Sequence, residues 1–211
     1  MIQLVKLPVR RGNAPLRIAK GHFVTNHSHI NYYIDMTTMK TRQNEAMAAA
    51  RAMSENYVVS TVVDTIVCMD GMEVIGAYMA EELTRAGIMS MNAHKTIYIM
   101  SPEYDLSGQM IVRENNQMMV RGKHCLLLLA SATTGQTIAR AQESINYYGG
   151  TIVGISAIYS AVSKVMDYPV HALYTAADLP DYKSYQPANC KMCQNNQPID
   201  AICNGFGYSR L

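Results

Sequence analysis

The sequence has no tryptophan and only two phenylalanines among its 211 residues. Charge is also scarce: Asp, Glu, Lys and Arg make up 16%, against roughly a quarter in ordinary soluble domains. The net charge is +2, with no block of basic residues. That excludes the electrostatic footprint that would draw nucleic acid or an anionic membrane surface. No run approaches the roughly 18 apolar residues needed to cross a bilayer. Met1 to Pro8 carry no apolar stretch of the signal-peptide kind. The five cysteines are an odd number, and without an export signal they are expected to be reduced thiols in a cytoplasm.

Methionine is plentiful, at 16 residues, and hydrophobic residues reach 49%. Low charge and many methionines predict that part of the exterior is buried against a second copy, so a homodimer is expected. The length suits one α/β domain with a small subdomain, and it can bury a core without disulfides or metals.

From Asn44 onward the pattern alternates between helix and strand. Residues 44–57, rich in Ala, Met, Glu and Arg, predict a helix. Residues 62–68 are a nearly continuous β-branched run, as in a strand covered on both faces. A helix is expected over 72–86, with Gly87 as its cap, then a strand over 95–100. Residues 101–122 are polar, broken by Ser107-Gly108, and read as a functional loop or mobile hairpin. The clearest unit follows: a leucine-rich strand over 124–130, a turn, a helix over 136–148 closed by Gly149-Gly150, and a strand over 151–159. A last strand is expected over 170–174. This alternation predicts a mostly parallel sheet flanked by helices.

Ligands in open parallel sheets bind beyond the carboxyl ends of the strands. Those ends are Met69 to Glu73, the region of Ser101, and Ala130 to Gly135. The last leads into Ser131-Ala132-Thr133-Thr134-Gly135-Gln136-Thr137, a turn of small and hydroxyl residues at a helix N-terminus. Unpaired N–H groups there carry partial positive charge, the hydroxyls add donors, and Gly135 permits close approach. The chemistry is that of a phosphate cradle. The plainer reading is a strand–helix turn with a threonine as N-cap.

The run Ala132-Thr133-Thr134-Gly135-Gln136-Thr137-Ile138 after a leucine strand, with Gly149-Gly150-Thr151-Ile152-Val153-Gly154-Ile155 after the helix, resembles the phosphoribosyl-diphosphate motif of type I phosphoribosyltransferases. The similarity is to the orotate phosphoribosyltransferases in particular. Gly21 to Asp35 is similar to that family's hood, and Asp178 to Tyr182 with Cys190-Lys191-Met192-Cys193 resembles the C-terminal end of some members. The resemblance implies a hood at 1–40, a core at 41–177 and a C-terminal extension at 178–211 packed on core or hood. It implies phosphoribosyl diphosphate or a nucleotide as ligand, in pyrimidine nucleotide metabolism, with Mg²⁺ as the accompanying cation. Asp70, Gly71, Met72 and Glu73 become candidates for the diphosphate loop, and Arg113 and Arg121 for the mobile loop that closes over it.

The sequence also departs from the family. Two adjacent acids usually precede the phosphate turn and hold the ribose hydroxyls. Their places are taken by Leu129 and Ala130, which can bind neither a diol nor a hard cation. The hood's usual lysine falls near Asn26, and the Asp-Arg pair after the 151–159 strand is replaced by Ser160-Ala161. Asp70 and Glu73 could substitute as metal ligands, or be a turn residue and a first-turn helix charge. What is retained holds a 5'-phosphate; what is missing handles the diol, the diphosphate and the base. Three functions therefore compete: a transferase with atypical catalytic groups, a non-catalytic module sensing a nucleotide or phosphoribosyl diphosphate, and a scaffold retaining only the fold, with the intact phosphate turn favouring the first two. Cys190, Cys193 and Cys203 have a partial zinc spacing, but a structural site needs four ligands. The missing one would be distant, such as Cys68, Cys125 or a histidine, and no metal is expected there.

Overall fold

A computed structural model describes residues 2–8, 14–25, 28–85, 89–93, 95–106 and 108–211. The expected cap at Gly87 and the hood position Asn26 lie outside them. Strands β1 (Val5–Lys6), β2 (Arg17–Val24) and β3 (His29–Asp35) come first, then helices α1 (Thr37–Thr41) and α2 (Gln43–Ser54). The alternating region contains β4 (Thr65–Cys68), α3 (Glu73–Arg85), β5 (Tyr98–Met100), a hairpin of β6 (Glu103–Tyr104) and β7 (Met110–Ile111), β8 (His124–Ala132), α4 (Gln136–Tyr147) and β9 (Thr151–Ser160). The chain ends with β10 (Lys164–Val165), β11 (Tyr168–Thr175), β12 (Ser184–Tyr185), α5 (Lys191–Gln194), β13 (Ala201–Asn204) and β14 (Gly207–Arg210).

The core sheet has the order β10-β11-β9-β8-β4-β5 and is parallel except where β10 pairs with β11. Its central strands alternate between two apolar clusters, as a pleat requires. Ile66, Cys68, Leu126 and Leu128 face one cluster with α2 and α3, whereas Val67, Cys125, Leu127 and Leu129 face another with α4. On α2 the spacing of Ala46, Ala49, Ala50 and Met53 forms the buried stripe. The expected strand over 62–68 begins only at Thr65. The buried Asn92 side chain accepts from Val63 N–H at 2.8 Å and donates to Thr61 O at 2.9 Å, so these backbone groups are satisfied outside the ladder.

A second six-stranded sheet joins both ends of the chain, in the order β12-β3-β2-β13-β14 with β1 on β2. Strand β13 pairs in parallel with β2, so the C-terminal segment lies in the same sheet as the N-terminal strands. Phe23, Tyr33, Ala201 and Cys203 share its core. This sheet is fastened to the helices by Arg17, whose two terminal nitrogens each meet a Glu45 carboxylate oxygen at 3.1 Å, with Thr38 donating to the same carboxylate. Arg17 thereby holds the Glu45 carboxyl below its ordinary value, against the smaller effect of burial. A carboxyl depressed in the fold contributes stability above its unfolded pKa and loses it as pH falls through the lowered value. Stability should therefore be level above about pH 5 and decline on acidification. Glu45→Gln should flatten part of that decline; thermal melts between pH 7 and 3 with equal slopes for both proteins would contradict the assignment.

Candidate functional site

Because the core strands are parallel, their carboxyl ends share one pole of the sheet. Strand β8 delivers Ser131 and Ala132 there, Thr133 and Thr134 turn the chain, and Gly135 occupies the N-cap of α4. Gly135 has φ +79°, a left-handed conformation that costs other residues roughly 1–2 kcal/mol. A Cβ there would also lie 2.7 Å from Val165 Cγ2 on the β10–β11 hairpin. No threonine caps the helix. The first helical bond runs from Ala139 N–H to Gly135 O, and Gln136 N–H has only Thr134 Oγ1 at a long 3.5 Å. The first turn of α4 also has no acidic residue. The positive end of the helix is thus neither capped nor neutralised by its own side chains.

This end opens on a cavity of about 200 Å³ lined by Ser131, Ala132, Thr133, Thr134, Gly135, Thr137 and Ile138, with Leu129, Ala130, Asp70 and Gly205. Six of the seven predicted turn residues are brought together; Gln136 is exposed and does not line the cavity. A larger depression of about 430 Å³, between Gly108-Gln109 and the Arg140–Tyr147 side of α4, shares no lining residue with this cavity.

The loop after β4 forms the opposite wall. Asp70 and Gly71 are both left-handed, at φ 56° and 76°. Asp70 lines the cavity, but the other diphosphate-loop candidates do not. Met72 is fully buried in the core, and Glu73 starts α3 and accepts from Ser101 Oγ. Sequence reasoning missed Lys40. Its buried ammonium donates to Asp70 O at 2.8 Å and Gly205 O at 2.6 Å, tying the β4 loop to the tip of the β13–β14 hairpin. Burial lowers the Lys40 pKa, opposed by Asp70, Glu73 and Asp35. Burial likewise raises the Asp70 carboxyl, with Lys40 opposing. A lone lysine in Thr37-Thr38-Met39-Lys40-Thr41 gives no local signal, because both its partners are distant in sequence.

The two arginines assigned to a mobile loop do not share a place. Arg113 follows β7 and pairs with Glu103 at 2.8 Å. Arg121 precedes the amino end of β8, donates to Gln117 Oε1, and lies beside Gly149 at the end of α4. That is the opposite pole, roughly 30 Å from the turn at 3.3 Å per strand residue. Arg121 therefore sits at the pole away from the cavity, because it precedes the amino end of a parallel strand.

Leu129 and Ala130 line the cavity and are buried, so this wall is apolar. Mg²⁺ prefers oxygen ligands, and Asp70 is the sole carboxylate in the lining. This donor set does not fit a magnesium ion held by the protein.

No family model and no curated protein matches the sequence. Solved structures do match the fold. Orotate phosphoribosyltransferase from Aeropyrum pernix superposes with a TM-score of 0.53 at 16% identity, covering 77% of this chain and 90% of that one. The Mycobacterium tuberculosis orotate phosphoribosyltransferase in complex with 5-phospho-α-D-ribosyl 1-diphosphate gives 0.52 at 14% identity, over 70% and 82%. Adenine phosphoribosyltransferase from Leishmania donovani gives 0.52 at 13%, over 85% and 83%. The chain has the type I phosphoribosyltransferase fold. No helix among the described residues is long and apolar enough to cross a membrane.

Proposed function

We propose, from this fold and the cavity at its carboxyl pole, that the protein is phosphoribosyltransferase-like, similar to orotate phosphoribosyltransferase, and binds phosphoribosyl diphosphate or a nucleotide by its 5'-phosphate. The observation that carries the reading is the uncapped start of α4 behind Gly135, facing a cavity lined by Ser131, Thr133, Thr134 and Thr137. Backbone N–H groups and hydroxyls suffice to hold a dianion there without acids or a metal. The similar Mycobacterium tuberculosis enzyme was solved with phosphoribosyl diphosphate, which supports that ligand class. The proposal includes nucleotide metabolism, and a homodimer supported by the scarcity of charge and by exposed Leu106, Met118 and Tyr147.

A second reading is favoured by Leu129 and Ala130. Phosphoribosyl transfer depends on oriented charge around the leaving diphosphate, each group contributing about 3 kcal/mol. An apolar wall fits a nucleotide sensor better than an efficient transferase. Calorimetry with phosphoribosyl diphosphate, uridine and orotidine monophosphates and orotate, with and without Mg²⁺, separates the two when paired with a product assay. Binding without turnover supports the sensor; turnover of orotate at ordinary enzymatic rates supports the transferase. In either case Thr134→Ala should weaken phosphate binding by about 1–2 kcal/mol, roughly 5–30-fold, the scale of a hydrogen bond to a charged group. An unchanged dissociation constant would remove Thr134 from the cradle.

A further inference from the structure

A second cluster of reactive side chains lies outside this cavity, in the sheet that joins the two ends of the chain. His22 on β2, His29 at the start of β3, and Cys190 and Cys193 around α5 bring one ligand atom each to within 4.8 Å of one another. No other group of three or more His, Cys, Asp or Glu residues converges in this way among the described residues. We infer that these four side chains form a structural zinc site that fastens the C-terminal extension to the hood.

Three of the four separations suit that ion, and the fourth is short by about 0.4 Å. Tetrahedral zinc, with bonds of about 2.0–2.3 Å, sets its ligand atoms roughly 3.3–3.8 Å apart. Here Cys190 Sγ and Cys193 Sγ each lie 3.7 Å from His22 Nε2, Cys193 Sγ lies 3.3 Å from His29 Nδ1, and the two ring nitrogens lie 2.9 Å apart. The two cysteines sit one helical turn apart and present both sulfurs to the same side. A carbonyl behind His22 orients it: Nδ1 lies 2.9 Å from Gln197 O and donates to it, leaving the Nε2 lone pair to face the cluster. Zinc-binding histidines are commonly oriented in this way. Two thiolates would neutralise the ion, and His22 and Cys190 are fully buried. Four protein ligands leave no open position, so the role is structural. The expectation from spacing, with Cys203 as third ligand and a distant Cys68, Cys125 or histidine as fourth, is of no metal. The fold supplies two histidines, 164 and 168 positions from their cysteine partners.

The site also has a consequence at a distance. The extension it fastens continues into β13 and β14, whose connecting Gly205 accepts from Lys40 and lines the cavity. Losing the metal should free residues 186–210 while leaving the core sheet intact.

The test is elemental analysis of the full chain purified under reducing conditions. One zinc per chain is expected. Metal-free protein titrated with cobalt(II) should give the intense visible bands and thiolate charge transfer of a tetrahedral site, displaced by zinc. The exposed Cys193 can be replaced with little risk to folding, and Cys193→Ser should weaken zinc binding by more than about 100-fold. Hydrogen exchange of residues 186–210 should rise on metal removal. Protein that holds no zinc and gives no tetrahedral cobalt spectrum would overturn the inference, as would full affinity in Cys193→Ser.

Discussion

Gly135→Val should abolish binding of phosphoribosyl diphosphate and of nucleotide 5'-phosphates while leaving the rest of the core sheet folded. Three effects act together. A β-branched residue is forced to φ +79°, where even an unbranched side chain is strained. Its Cβ meets Val165 at 2.7 Å, so the β10–β11 hairpin has to move. The turn then cannot aim the first N–H groups of α4 at a common point. The expected loss is on the order of 100-fold or more, from roughly 3 kcal/mol of combined strain and lost charge-assisted hydrogen bonds. Calorimetry checks the affinity, and circular dichroism checks that the helices persist. Undiminished binding in a folded variant would mean that the phosphate does not use this turn.

The second large effect concerns the missing acids. Leu129 is fully buried among Val67, Leu127, Ile155 and Ala157. Leu129→Glu places a carboxylate in that cluster, which costs several kcal/mol. For a chain of this length the melting temperature should fall by roughly 10 °C or more. Ala130 faces the other cluster and is 5% exposed beside the cavity. Ala130→Asp should be milder, and it adds an oxygen ligand near Asp70. Phosphoribosyl diphosphate should then bind more tightly with Mg²⁺ than without, a difference expected to be small in the natural protein. Thermal melts and paired titrations of both variants check this. If Leu129→Glu is as stable as the natural protein, the wall is not the dry surface described above.

The contrast between these residues shows what the sequence could convey. Four consecutive leucines before a small-residue turn mark a buried strand delivering a helix start, and both signals are local. The pole rule for parallel strands then brings together Asp70 and the turn, although more than sixty positions separate them. The same rule places Arg121 at the pole away from the cavity, because the polar stretch 101–122, expected as a functional loop or mobile hairpin, is a hairpin followed by a short helical turn that returns to the amino end of β8. Lys40 and the convergence of His22 and His29 on Cys190 and Cys193 were illegible for another reason. Their partners lie 30 to 171 positions away, across strands as short as two to four residues that carry too little pattern to be seen. Where function rests on such contacts, the fold has to be known first.

Whether a 5'-phosphate is what this protein holds can be decided by one calorimetric series on the natural chain, without added metal, using ribose 5-phosphate, phosphoribosyl diphosphate and ribose. The two phosphorylated sugars should bind at one site per chain and compete with each other, and ribose should give no heat. No binding of either phosphorylated sugar, or equal binding of ribose, would contradict the account.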